Sequence, residues 1–188
     1  MKRALLVTAF VLGSAGAAAA GPYLGFAVGP VPSIDNTVPA GGHLEFNGGG
    51  RSGRVLGGYR FVTLPFIGTI SVEGNITGYT LRGTDNADYG GRLATLTGKY
   101  NYPLGGGMEV FGRLGLNHTW IASHKDGDIT REGNGYTFGV GAEYRFKLPM
   151  AQASAWVDYS FNTADLADTN YTRGYTARMW MLGFTFGI

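Results

Sequence analysis

The chain closes on Trp180-Met181-Leu182-Gly183-Phe184-Thr185-Phe186-Gly187-Ile188, and this stretch decides the fold class. Successive side chains of a strand point to opposite faces. Trp180, Leu182, Phe184, Phe186 and Ile188 therefore share one face, and Met181, Gly183, Thr185 and Gly187 share the other. A soluble sheet buries its large apolar face and wets the small or polar one. A membrane barrel reverses this, with apolar residues to lipid and small or polar residues to the lumen. The rest of the chain decides between the two.

Working back toward the N-terminus, period two recurs in seven further segments. Val157, Tyr159 and Phe161 alternate with Trp156, Asp158 and Ser160. Tyr136, Phe138, Val140, Ala142, Tyr144 and Phe146 alternate with Thr137, Gly139, Gly141, Glu143 and Arg145. The same rhythm sets Val110, Leu114 and Leu116 against Phe111, Arg113 and Gly115, and Leu96, Tyr100 and Tyr102 against Thr97, Lys99 and Asn101. It sets Ile70, Val72 and Ile76 against Ser71, Glu73 and Asn75, Val55, Tyr59 and Phe61 against Arg54, Gly58 and Arg60, and Leu24, Phe26 and Val28 against Tyr23, Gly25 and Ala27. These are about eight strands of the ~10-residue length that a tilted membrane strand needs. Three links are short and carry Pro or Gly: Thr63-Leu64-Pro65-Phe66, Pro103-Leu104-Gly105-Gly106-Gly107 and Lys147-Leu148-Pro149-Met150-Ala151-Gln152. The others, 30–50, 82–91, 123–134 and 162–173, are longer and polar and hold nine of the 13 acidic residues. The pattern predicts an all-β transmembrane antiparallel up-and-down barrel of about eight strands, with short periplasmic turns and longer extracellular loops. A soluble sandwich or lipocalin-like barrel is the competing architecture. The aromatic ending without a polar tail and the confinement of charge to one register oppose it.

Ahead of the barrel, Met1-Lys2-Arg3 is a basic start, and residues 4–20 are apolar or small without a charge, ending Ala17-Ala18-Ala19-Ala20. This predicts a secretory signal peptide over 1–20, cleaved before Gly21, and a barrel domain over 21–188. The strongly apolar part of the leader is too short for a membrane span, and no later stretch reaches 18 apolar residues. Removing Lys2 and Arg3 from the 15 basic residues leaves 13, equal to the 13 acidic ones. Nucleic-acid binding, which wants a basic surface, gains no support. The 33 glycines among 188 residues are more than twice the usual ~7%, without a collagen period. The absence of Cys removes disulfides, zinc-thiolate sites and thiol nucleophiles.

The candidate site is the inward face. Glu73, Lys99, Arg113, Glu143 and Asp158 all take the inward register a few residues from a short turn, with Arg60 and Arg145 nearer the turn side. Eight strands enclose an interior that side chains just fill. Charges there must pair, because an isolated buried charge is very costly. Structural salt bridges plugging the lumen are the primary reading, and a gate that pairs and unpairs is the alternative. Phe61, Phe66, Tyr102, Tyr144, Phe146 and Phe186 are placed for one interfacial girdle, with Trp120, Tyr136 and Trp180 for the other.

Several of these segments, Gly57-Gly58-Tyr59-Arg60-Phe61, Thr97-Gly98-Lys99-Tyr100-Asn101-Tyr102-Pro103, Val110-Phe111-Gly112-Arg113-Leu114-Gly115, Gly139-Val140-Gly141-Ala142-Glu143-Tyr144-Arg145-Phe146 and Leu182-Gly183-Phe184-Thr185-Phe186, resemble the small eight-stranded OmpA-like and opacity-type outer-membrane barrels of Gram-negative bacteria. The resemblance implies a lumen charge network with Glu73, Lys99 and Glu143 in three of its roles. The fourth, a seventh-strand Arg, falls on Trp156, so the family's switch does not carry over whole, and Arg113 supplies the missing cation. It also implies that Trp180, Leu182, Phe184, Phe186 and Ile188 form the C-terminal signal read by the barrel-assembly machinery, with Ile188 where the family has Phe. With no sequence after Ile188, the chain is expected to be the barrel alone.

The expected function is an integral outer-membrane barrel with a structural or surface-interaction role, without enzymatic activity, cofactor or metal. A narrow porin-like channel is the runner-up. A lipid A-modifying enzyme is the lesser alternative, for which Ser123-His124-Lys125-Asp126 offers residue types but not triad geometry. His43 and His118 complete the histidines, and Asp126-Gly127-Asp128 lacks the calcium-loop pattern. Expected partners are outer-membrane lipid and lipopolysaccharide, the assembly machinery during biogenesis, and an extracellular partner reached through the loops, residues 30–50 foremost.

Overall fold

Period two runs through most of each strand of the structure, a computed structural model that describes residues 20–37, 46–47, 50–64, 67–83, 88–123, 129–147, 151–167 and 172–187, with register shifts at Arg60–Val62 and Pro103–Gly105. Ten strands lie among them: β1 (Gly21–Pro30), β2 (Ser33–Thr37), β3 (Phe46–Asn47), β4 (Arg51–Leu64), β5 (Gly68–Gly83), β6 (Asp88–Gly105), β7 (Met108–Ser123), β8 (Ile129–Lys147), β9 (Gln152–Ala167) and β10 (Thr172–Gly187). β4 to β10 pair antiparallel in chain order, and β1 pairs with both β4 and β10, which closes the sheet. β2 continues the wall of β1 along β10. Val28 lies opposite Leu182 and Ser33 opposite Arg178, so the first stave carries one residue more than its neighbour between these pairs. Pro30 and Pro32 fall inside that bulge, where a residue without an N–H breaks no ladder. The wall therefore has eight staves. The leader and Ile188 lie outside the described residues.

The two ends differ. Three turns, between β4 and β5, β6 and β7, and β8 and β9, share one end with Gly21 and Gly187. The tightest runs through Gly105, Gly106 and Gly107 at φ 99, 63 and 87, a conformation that favours glycine. Gly107 O accepts a bond from Arg145 N at 2.8 Å. By the barrel convention this is the periplasmic end.

Strands β5, β7, β9 and β10 each have 16 residues. At a tilt near 40° each residue climbs roughly 2.5 Å, so such a strand spans roughly 40 Å and overshoots an apolar band of ~25 Å. The outward face records where the band stops. Leu24, Phe26, Ile76, Leu96, Leu114 and Leu182 are exposed around its middle. At the outer end the outward residues turn polar, at Arg51, Arg92, Glu132, Asp165 and Arg178. The strands therefore run further than polarity suggests. Segments 82–91, 123–134 and 162–173, expected as loops throughout, are partly wall: β5 reaches Gly83, β6 starts at Asp88, β8 at Ile129, β9 ends at Ala167 and β10 starts at Thr172. At this end the outward residues are polar and the inward ones, such as Leu93, Leu166 and Met179, are apolar and buried, so polarity stops marking the strand end while the alternation continues.

Inward aromatics explain many of the glycines. Each of four faces a glycine on the next strand: Tyr23 opposite Gly58, Tyr79 opposite Gly91, Phe111 opposite Gly141 and Trp156 opposite Gly183. A Cβ at any of these glycines would collide with the facing ring. In this narrow lumen these four rings fit because the facing wall position has no side chain, while Tyr175 faces only the small Ala164 on β9.

Gly183→Ala is expected to destabilise the barrel by about 1–3 kcal/mol through overpacking. Gly78→Ala, where a Cβ meets nothing within 4 Å, is expected to be near neutral. Denaturant unfolding in lipid vesicles checks the contrast.

Candidate functional site

Among the described residues, six of the eight staves send charged side chains into the inner half of the lumen, and Arg131 of β8 takes the inward register nearer the outer end. Arg54 and Arg60 come from β4, Glu73 from β5, Lys99 from β6, Glu109 and Arg113 from β7, Glu143 and Arg145 from β8, and Asp158 from β9. Except for the half-buried Arg145, these nine are buried. The inward register of each strand fixes them there, because a shift by one residue would turn every one to lipid.

They form one connected network. Asp158 Oδ2 accepts from Arg54 Nη1 at 3.1 Å and lies 3.1 Å from Arg113 Nη2. Arg113 Nη1 lies 3.5 Å from Glu73 Oε2, and Glu73 Oε1 lies 3.3 Å from Lys99 Nζ. Lys99 reaches on to Glu143 Oε2 at 2.7 Å. Glu143 also meets Arg60 at 3.3 Å and Arg145 at 3.8 Å, and Arg145 ends the chain on Glu109 at 2.8 Å. The geometry thus brings together Glu73, Lys99, Arg113, Glu143 and Asp158, and adds Arg54, Arg60, Glu109 and Arg145. Arg113 takes up the position that a seventh-strand Arg would serve. Trp156 occupies that strand position and lies under the Arg113 guanidinium, 5.4 Å from ring centroid to carbon, with Phe111 at 5.0 Å.

Neutral groups add hydrogen bonds to Glu73, Glu109, Glu143, Arg54 and Arg60. Tyr23 donates to Glu73 at 2.8 Å, and Asn101 Nδ2 donates to Glu109 and Glu143, both at 2.9 Å. Arg54 Nε donates to Thr77 at 3.0 Å and Arg60 Nη1 to Gln152 at 2.9 Å. Such contacts hold these five charges in place, which raises the cost of moving them. Arg113 differs: it makes its ion pairs through Nη1 and Nη2, and none of its three guanidinium nitrogens has a hydrogen bond among the described residues.

Two further layers lie above. The first is neutral and polar: Asn117 Nδ2 donates to Thr137 at 3.2 Å, and Thr137 donates to Asn162 at 2.9 Å. The second is apolar. Tyr79, Leu93, Ala164, Leu166, Tyr175, Ala177 and Met179 form a buried cluster, with Val31, Ile34 and Ile121 against it. The hydroxyls of Tyr79 and Tyr175 bond to each other. This layer departs from the polar-inside rule of membrane barrels, and residue polarity did not reveal it.

The other expected features fall as follows. Trp180, Leu182, Phe184 and Phe186 line the outward face of β10. Phe184 and Phe186 join the aromatics near the inner rim, and Trp180 packs on Tyr159 at 4.6 Å. His118 takes the outward register, its Nδ1 2.7 Å from Asn134 Oδ1, its Nε2 3.7 Å from Glu132 and its ring against Trp120. His43, Phe66, His124, Lys125 and the Asp126-Gly127-Asp128 turn lie outside the described residues, as does the side chain of Ser123.

The comparisons agree with this architecture. A family model, the outer membrane protein beta-barrel domain, matches residues 4–186. Neisserial surface protein A is similar in structure, with a TM-score of 0.64, 14% identity, and coverage of 89% of this chain and 97% of that one. The attachment invasion locus protein Ail of Yersinia pestis, solved with the heparin analogue sucrose octasulfate, gives 0.53 at 16% identity, covering 90% and 97%. No curated protein matches by sequence.

Asp158→Ala strands two buried guanidiniums at once and is expected to cost about 3–5 kcal/mol. Asp165→Ala, exposed at the outer end, is expected to change stability by no more than about 0.5 kcal/mol. Urea unfolding of both in vesicles, followed by tryptophan fluorescence, checks this.

Proposed function

The chain belongs to the outer membrane protein beta-barrel family of Gram-negative bacteria, and we propose that within it the protein is a closed barrel with a structural and surface-presenting role, neither a channel nor an enzyme. One observation carries this reading. The nine charged groups of the inner half of the lumen form a single connected network, and an apolar layer lies between it and the outer mouth. An ion entering from outside would meet, among the described residues, the packed side chains of Leu93, Leu166 and Met179, with the Tyr79 and Tyr175 hydroxyls already bonded to each other, before any carboxylate of the network able to replace its water. Crossing apolar surface without such a group is very costly for an ion. From the periplasmic side it would have to part ion pairs whose partners are then left buried and alone.

The outer end is where such a barrel meets its surroundings. β2 ends at Thr37 and β4 begins at Arg51 at that end, and between them β3 pairs with β5 at Gly83 and Arg82. Loops held on a rigid wall are the usual carriers of binding function. The aromatic outward face of β10, continued by Ile188, is read as the signal for the assembly machinery.

Single-channel recording in a planar bilayer tests the proposal, with folding confirmed by a heat-dependent gel shift. Wild-type protein is expected to stay silent. Lys99→Ala and Glu143→Ala are expected to stay silent too, because the apolar layer remains. Discrete wild-type openings that these changes alter would overturn the closed-barrel reading and make the charged layer a gate.

A further inference from the structure

A groove of about 860 Å³ runs down the lipid-facing side of β4 to β7 at the outer end. The strand register lays out its plan. In the upper row Arg51 stands beside Thr80, which is opposite Gly90, itself opposite Ala122. In the row below, Gly53 is opposite Gly78, Gly78 opposite Arg92 and Arg92 opposite Trp120. Ile76 and Ala94, also paired, close the bottom. The floor is bare backbone: a Cβ added at Gly53, Gly78 or Gly90 would meet nothing within 4 Å. The walls are Arg51 on one side and Arg92 with Trp120 on the other.

Three observations identify the occupant. The groove opens sideways, above Ile76 at 64% exposure and at the level where the outward face turns polar. Its neighbours are therefore the upper acyl chains and headgroups of the outer leaflet. Both guanidiniums are exposed, neither has an ion-pair partner among the described residues, and none of the described lining residues is acidic. Two free guanidiniums two strands apart, roughly 10 Å across the wall, suit a phosphate between them. A second copy of this face would set Arg against Arg, which opposes a barrel–barrel contact here.

We propose that this groove binds one phosphorylated glycolipid of the outer leaflet, its phosphate held by Arg51 and Arg92 and an acyl chain laid over Gly53, Gly78 and Gly90. Trp120 flanks the sugar level, as interfacial Trp does. Its described lining comes from the wall strands β4 to β7, with Tyr79 and Gly91 of the inner face behind the floor.

Native mass spectrometry of the refolded, full-length mature barrel tests it, with diphosphoryl lipid A as the probe. Dephosphorylated lipid A and zwitterionic phosphatidylethanolamine at equal concentration are the comparison arms. One retained diphosphoryl lipid A per barrel is expected. Arg51→Gln with Arg92→Gln should lower retention at least about tenfold, the loss of one charge-assisted contact pair. Gly78→Leu, which fills the floor, should lower it while both guanidiniums remain. Gly112→Leu, at another open outward glycine on β7, should not. The gel shift confirms that every variant is folded. Equal retention of the three lipids, or equal retention by wild type and the Arg pair variant, would overturn the proposal. So would an equal loss on Gly112→Leu.

Discussion

Asp158 holds two guanidiniums with one carboxylate oxygen, and much of the interior follows from that arrangement. Eight strands enclose so little space that a lumen charge finds its partner on a facing or neighbouring stave rather than in bulk water. Each added charge then needs another. Arg113 is shared with Glu73, Glu73 with Lys99, and Lys99 with Glu143, until the chain reaches Arg145 and Glu109 near the periplasmic rim. The network is the form that charge takes in so narrow a space. Removing one member transfers its cost to two neighbours, which is how a set of weak pairs becomes a rigid plug.

The same shortage of space explains the glycines. Tyr23, Phe111 and Trp156 supply ring faces on which Arg60, Lys99 and Arg113 rest. These rings fit because the opposing wall position is empty, and the register supplies Gly58, Gly141 and Gly183 there. Outward glycines answer a different need. At Gly53, Gly78 and Gly90 they leave the wall open to lipid rather than to a ring. One residue type thus serves packing on the inner face and access on the outer face, and the side of the sheet decides which.

The inner half was legible because its two faces differ in character. Along Thr137-Phe138-Gly139-Val140 or Phe184-Thr185-Phe186-Gly187, alternation of size and polarity sets the register without further help. Period two also sets Glu73, Lys99, Arg113, Glu143 and Asp158 on one face. It does not say who meets whom, since pairing across a lumen depends on strand tilt and stagger. Arg54 lies ten residues from the inner end of β4, yet it meets Asp158, only six from that end of β9. Arg54 and Glu109 share the inward register of Arg60 and Arg113, but register alone does not say that they join the network. The outer half was harder to read for a physical reason. There the wall stands in water outside and is apolar within, so Leu93, Leu166 and Met179 point inward while Arg92, Asp165 and Arg178 point outward. The rule reverses partway along the same strands. A reader following polarity ends the strand there, whereas one following period alone continues to Ala167.

Solvent access to the middle of the lumen tests the closed interior most directly. The chain has no Cys, so a single introduced thiol reports without background. Ser160 on β9 is fully buried, between the charged and apolar layers, and Thr163 on the same strand is exposed. In the folded barrel in vesicles, Ser160→Cys is expected to resist a membrane-impermeant thiol reagent and to react only on unfolding, while Thr163→Cys reacts at once. Labelling of the two at similar rates in the folded barrel would mean that water and solutes traverse the lumen, and the account of a sealed barrel would fail.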